Sequence, residues 1–522
     1  MSLPTSTKLL RNTAFNLGGR AAGYGVSLIL TPLIFRSLGA DQFGLWALTV
    51  MLAGQFGLVD LGFTSALSKY VSEFNARGTL GRINAPLTAA LLFYVAVCIG
   101  LVIPLWTFRY AVFDFFSIPQ PLWGVSLFVM PAAIFLFFAT STLAVFQSVI
   151  NGLQRMEITN GVAVVQAILL ATLTALALRL GKGLGGVILV NAACLLGGAI
   201  VLAVFCRTSM PGLKVTFQFQ GSEFRSVLRF GAVVQLARVS GIVAAYSDRV
   251  LISHFLDLAW LGRYQLAYTI VAAMRGATLL LVSAVVPATS ELTAIEQKHA
   301  IRALYRRGTK YSLITALAIA GIIVPLAGHI SRAWLGCIDP FVVLGMRFLA
   351  VGHLFHVVTG LGTAMSEGMG RPEIEARFGV CLSVLQVLLG IVGVRWFGFR
   401  GILWTTVLVM AITSLWFLTR FHRVVEPEAP FPWRALALPP VIASLAASSL
   451  VWVVSSHLDA GVHGRIGAAL LLLAGGSLFL AVYVGILAAV RYVDEFDLQL
   501  TSAIGRAILR PKSARAPASD EG

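Results

Sequence analysis

Long apolar runs broken by short polar turns set the pattern of this chain. About fourteen of them reach the roughly 20 residues that an α-helix needs to cross a 30 Å hydrocarbon core. They fall near residues 12–37, 41–64, 84–107, 120–148, 156–179, 183–206, 227–254, 259–288, 308–330, 340–365, 376–396, 400–420, 435–456 and 466–490. The predicted fold class is therefore all-α and integral to a membrane. Closely spaced runs, such as the first two around "SLGAD", predict antiparallel helical hairpins.

Composition agrees and adds a sign. The chain is 58% hydrophobic and only 12% charged, and its mean hydropathy of +0.87 lies outside the range of soluble domains. Lys and Arg number 39 against 22 Asp and Glu. These charges are scattered among apolar spans, which argues against a nucleic-acid surface and leaves loop bias or an anionic substrate. With the amino terminus in the cytoplasm, "KYVSEFNARGTLGR", "CRTSMPGLK", "KHAIRALYRRGTK", "RFHRVV" and "RAILRPKSAR" fall on the cytoplasmic side. That places about 25 basic residues inside and about 10 outside, so both termini are expected inside. The first run is too long for a signal-peptide core and is expected to be retained. Cys98, Cys194, Cys206, Cys337 and Cys381 lie singly, with neither metal nor disulfide spacing. The turns are too short for a catalytic domain, and the terminal "PKSARAPASDEG" is expected to be disordered.

An internal repeat organises the spans. Displacing the chain by 218 positions puts Ala14 on Ala232, Arg20 on Arg238, Gly23 on Gly241, Leu33-Ile34 on Leu251-Ile252 and Gly44 on Gly262. It also matches Ser65-Ala66 with Ser283-Ala284 and Ser72-Glu73 with Ser290-Glu291. A repeat beginning six helices later keeps its orientation, which implies two six-helix lobes about an axis along the membrane normal. The expected domains are 1–206 (helices 1–6), a cytoplasmic linker at 207–222, 223–421 (helices 7–12), an added hairpin at 434–490 and a cytoplasmic tail at 491–522.

Motifs for catalysis are lacking: there is no phosphate loop, no His-Glu-x-x-His pair and no nucleophile elbow. An enzyme is not expected, nor is a metal centre. His353 and His356, three apart in "GHLFHVV", share a helical face and suit either a proton site or plain packing. Charges within spans are the stronger signal. Arg20, Arg238, Arg275 and Arg347 fall there, as do Asp60, Asp248 and Arg249. At 1.5 Å per residue Arg20 and Arg238 sit roughly 12 Å into their helices, with Arg275 near the middle of its own. Such groups are costly against lipid and normally face a bundle interior or an aqueous cavity. Arg347 and Arg249 lie near enough to a helix end to snorkel. Arg20, Arg238 and Arg275 outnumber deep carboxylates, so a cationic cavity is expected, and guanidinium grips phosphate oxygens with a bidentate fork. Pro32, Pro131, Pro287 and Pro325 are candidate kinks. Gly18, Gly19, Gly23 and Gly25 around Arg20 serve close packing or leave space beside it. Residues 291–307 read as an amphipathic stretch along the interface.

These residues carry a family resemblance. Arg20 in "FNLGGRAAGYG", Leu38-Gly39 followed by "FGLW", and Asp60-Leu61-Gly62 leading into Ser65-Ala66-Leu67 resemble the opening of polysaccharide-biosynthesis membrane proteins. These are the Wzx-type flippases of the multidrug/oligosaccharidyl-lipid/polysaccharide superfamily. "SDRVLISHFLDLAWLGRYQLAY", with Asp248, Gly262 and Tyr264, is similar to their second lobe. The resemblance implies a cavity lined by helices 1, 2, 7 and 8, and flipping of undecaprenyl-pyrophosphate-linked oligosaccharide across a bacterial inner membrane by alternating access. Arg20, Arg238 and Arg275 would bind the pyrophosphate. Asp60 and Asp248 would balance charge or couple H+ or Na+, no other cofactor being implied. Arg249, Arg347, His353 and His356 are further cavity candidates. A polysaccharide polymerase and other biosynthesis proteins are potential partners, and nucleic acid is not. A cation-coupled multidrug exporter, a lipid II-type flippase and a non-transporting scaffold are the alternatives.

Overall fold

The computed structural model describes residues 3–55, 63–210, 239–282, 285–428, 432–458 and 464–492. Among these no strand occurs, and ten helices are long and apolar enough to cross a membrane. In chain order the helices are α1 (Leu3–Gln55), α2 (Phe63–Ala76), α3 (Asn84–Thr107), α4 (Arg109–Phe115), α5 (Trp123–Gly152), α6 (Met156–Arg179) and α7 (Gly183–Ser209). They continue as α8 (239–255), α9 (Leu258–Val282), α10 (Val285–Ala294), α11 (Lys298–Leu335), α12 (Pro340–Gly368) and α13 (Pro372–Val425). The last are α14 (Trp433–Leu436), α15 (Leu438–Leu458) and α16 (Gly464–Ala489).

Two of these helices each run through two predicted spans, α13 through 376–396 and 400–420, and α1 through 12–37 and the part of 41–64 up to Gln55. In α1 the chain reverses at Gly39 (φ 76°), and in α13 at Gly398 (φ 58°). Both angles lie where a Cβ is strained, so glycine lets one residue replace the longer turn that polarity suggested. Prolines are housed less abruptly. Pro325 leaves the Gly321 carbonyl without its helical donor, and Ser448 of α15 supplies one at 2.9 Å. Ser444 adds a bond to the Leu317 carbonyl at 3.0 Å, while Gly321 admits the Phe479 ring of α16. The α15–α16 hairpin is thereby fixed to α11.

The stretch at 291–307 differs from expectation. It breaks after Ala294, and its second half forms the first turns of α11, with Ile301 and Tyr305 buried. Tertiary packing, which hydrophobic periodicity does not report, accounts for this. At the same end Arg306 grips Glu426, just past α13, through both carboxylate oxygens at 2.6 and 2.5 Å. That hydrogen-bonded guanidinium holds the Glu426 carboxyl below its usual range. A depressed carboxyl contributes stability that is fully present above the unfolded value, about 4.3, and is lost as pH falls through the folded value. The melting-temperature gap between wild type and E426Q should therefore hold steady from neutral pH to about 4.5 and close below it, as thermal scans across pH would show.

Packing pairs α5 with α7, α2 and α3, and joins α6 to α7 and α1; on the other side α12 packs on α13, α11 and α9. The two sets meet chiefly where α1 crosses α9. There a methyl group on Gly44 would overlap the Leu258 carbonyl, and one on Gly262 would press on the Ala40 carbonyl. Gly44 and Gly262 occupy equivalent repeat positions, as do Ala40 and Leu258, so each glycine meets the other unit's backbone about a local two-fold axis. The Gly39 end carries further ties across this junction. Arg36 donates to the Leu335 and Trp334 carbonyls at 2.7 and 2.8 Å, the Trp334 indole to the Leu28 carbonyl at 2.5 Å, and Ser117 to the His254 carbonyl at 3.0 Å.

Candidate functional site

A cavity of about 680 Å³ opens among α8, α9, α12 and α13. Glu367 and Glu375, beside the α12–α13 connection, line its end away from Gly39. Its wall is built from one face of α9: Tyr264, Tyr268 and Arg275 recur at helical spacing and all three line the space. Arg275 donates to the Tyr268 hydroxyl at 3.2 Å and forms no ion pair among the described residues. No carboxylate among the described residues pairs with it, although Asp248, Glu367 and Glu375 line the same cavity.

Asp248 of α8 also reaches this wall, 5% exposed. It accepts hydrogen bonds from Tyr264 at 2.7 Å, from Thr406 at 3.1 Å and from Gln386. None of these donors is a cation. The carboxylate instead joins α8, α9 and both halves of α13, which is how a buried acid is satisfied by neutral donors. Its sequence neighbour Arg249 turns away, donating to Gln265 at 3.0 Å and to the Ala245 carbonyl at 2.6 Å. The Arg249 guanidinium lies 4.1 Å from the Tyr268 ring centroid. It therefore stands behind the cavity wall and does not line the cavity.

Arg347 is elsewhere. Its Nε donates to the Val324 carbonyl at 3.1 Å, and its guanidinium packs 4.6 Å from the Trp452 ring, so it braces α12 against α11 and α15. His353 and His356 do line the cavity, beside Tyr268 and Phe378 respectively. Asp60, Arg238 and the Arg20 side chain lie outside the described residues. Of the glycines near Arg20, Gly19 is packed on Asn160, whereas Gly23 and Gly25 face open space. Sequence reasoning missed Tyr268, Gln386 and Thr406. The i, i+4 tyrosines on the Arg275 face, and a lone glutamine within "LSVLQVLLG", were the available signals.

A profile described as polysaccharide biosynthesis protein matches residues 9–293, more than half the chain. The chain belongs to the polysaccharide biosynthesis protein family. A curated relative is the uncharacterized membrane protein EpsK of Bacillus subtilis (strain 168), 22% identical over 399 residues, covering 73% of this chain and 77% of EpsK. Among solved structures, the lipid II flippase MurJ in an inward closed conformation superposes with a TM-score of 0.71 at 14% identity, covering 92% of this chain and 99% of that one. An inward-facing multidrug resistance MATE family transporter of the MOP superfamily gives 0.56 at 16% identity over 80% and 96%. The Vibrio cholerae MATE transporter VcmN in its bent form gives 0.55 at 13% over 81% and 97%. At these identities the likeness is one of fold. This family member thus has the helical architecture of such proteins, with its cavity walled by α8, α9, α12 and α13.

Proposed function

We propose that the protein is a flippase that carries undecaprenyl-pyrophosphate-linked oligosaccharide from the cytoplasmic to the outer leaflet of a bacterial inner membrane, for polysaccharide synthesis. The observation that carries this reading is Arg275: a guanidinium with no ion pair among the described residues, turned to a cavity of about 680 Å³ that could receive a diphosphate-linked sugar. Family membership and the likeness to MurJ support it. On the basic-loop bias both termini lie in the cytoplasm, and the Glu367–Glu375 end of the cavity then lies on that side. In this state the α1–α9 junction closes the outer end, and rocking of 1–206 against 223–421 would open it. Arg20 and Arg238 would join Arg275 on the diphosphate in that cycle, with Asp60 and Asp248 balancing charge or coupling H+ or Na+. A polymerase would receive the product. A cavity for cationic drugs would favour carboxylates at the place Arg275 holds.

The test is reconstitution into vesicles with a fluorescent short-chain polyprenyl-diphosphate oligosaccharide whose outer-leaflet fraction is quenched from outside. Protein-containing vesicles should exchange the probe between leaflets well above the protein-free rate. A rate equal to that of protein-free vesicles would overturn the reading.

A further inference from the structure

His353, buried, and His356, half-buried, are polar groups that the anion reading leaves unused. Neither ring has a hydrogen-bond partner among the described residues, and in both Nδ1 is sealed from solvent. His353 is only 3% exposed, yet it lines the cavity, as does His356. A buried N–H without an acceptor is costly, so the neutral tautomer with its proton on Nε2 is favoured, and Nε2 is the nitrogen not sealed. Two donors then serve the cavity from one face of α12.

We infer that His353 and His356 form a sugar subsite beside Arg275, taking the first saccharide of a glycosyl diphosphate. The inference rests on the flippase reading and narrows its substrate class. Spacing supports it. Tyr268, which holds Arg275, lies 5.8 Å from His353 by ring centroids, His353 lies 6.4 Å from His356, and His356 lies 5.9 Å from Phe378 at an interplanar angle of 19°. The row starts at the tyrosine that accepts from the guanidinium and continues in steps comparable to the width of one sugar ring. It offers what a pyranose presents: donors for its hydroxyl oxygens, and the Tyr268 ring, backed on its other side by Arg249, for its C–H surface, while Phe378 holds the His356 ring in place by stacking. A bare phosphate would use Arg275 and leave the His356–Phe378 pair without function. Asp248 is already occupied by three donors, so it does not compete for the imidazoles.

Binding is measured on the full-length protein with three probes: a short-chain polyprenyl diphosphate, and the same lipid carrying one hexose or one N-acetylhexosamine. Wild type should bind one glycosylated probe at least about tenfold tighter than the bare diphosphate, a difference of about 1.4 kcal/mol. H353L/H356L should lose that preference and keep the bare-diphosphate affinity, which also reports that the variant is folded. In wild type, ¹⁵N-histidine resonances should shift with the glycosylated probe and not with the bare one. Equal wild-type affinities for all three probes would overturn the subsite, as would histidine shifts produced by the bare diphosphate. Failure of every probe to bind wild type would instead sink the flippase reading itself.

Discussion

Replacing Arg275 with alanine is expected to cut affinity for a polyprenyl diphosphate by roughly 30-fold or more and to take translocation down with it. Removing one partner of a desolvated, hydrogen-bonded charge pair costs about 2–5 kcal/mol, and each 1.4 kcal/mol is tenfold. The chain should still fold, because Arg275 makes one hydrogen bond to Tyr268 and no ion pair among the described residues. R275K separates charge from shape: lysine keeps the charge and loses the planar fork, so it should recover part of the affinity. Titration of a fluorescent polyprenyl diphosphate into purified wild type, R275A and R275K decides the matter. Unchanged affinity in R275A would remove this residue from the site.

The second large effect is expected at the crossing of α1 and α9. Gly44→Val sets side-chain carbon against the Leu258 carbonyl, a backbone atom that cannot turn aside. Overpacking typically costs about 1–3 kcal/mol, and that cost falls on the arrangement in which the two units touch. A penalty of 2 kcal/mol alters a two-state ratio about 30-fold, so the Gly39 end should spend most of its time apart. Spin labels at Asp41 and Arg400, in a background lacking the five native cysteines, should report a longer distance in G44V than in wild type. Gly23→Val is the matched control, since nothing lies within 4 Å of a Cβ there. A distance unchanged in G44V would mean that this crossing does not hold the units together.

How far the sequence reached can be judged residue by residue. The all-helical, membrane-spanning character was legible because transfer from water to lipid is a summed local quantity, and a run of about 20 apolar residues is enough to report it. Gly39 and Gly398 were harder. Polarity marked the turns, but only the backbone angles show that one residue makes each reversal. Arg275 was found from cost alone, because a charge deep in an apolar span requires an aqueous or polar partner. The same argument gathered Arg347 and Arg249 as cavity candidates. Here it overreached, because a guanidinium can also be satisfied by carbonyls and aromatic faces, as both of these are.

The sequence by itself determined the class of the protein: helical, membrane-embedded, basic along its loops and built on a repeat that equates Gly44 with Gly262. Those properties are carried by composition, run length and self-similarity, each a sum over many residues that does not depend on how distant segments meet. The tertiary structure alone decided which polar side chains share a space. Asp248 is adjacent to Arg249 in the chain, yet it takes hydrogen bonds from Gln386, 138 positions away, and from Thr406, 158 positions away, while Arg249 packs on Tyr268. The reason is directional. Burial is scored by a residue's own chemistry, whereas a hydrogen bond or a glycine contact needs two helix faces brought within a few ångströms, and only their packing supplies that.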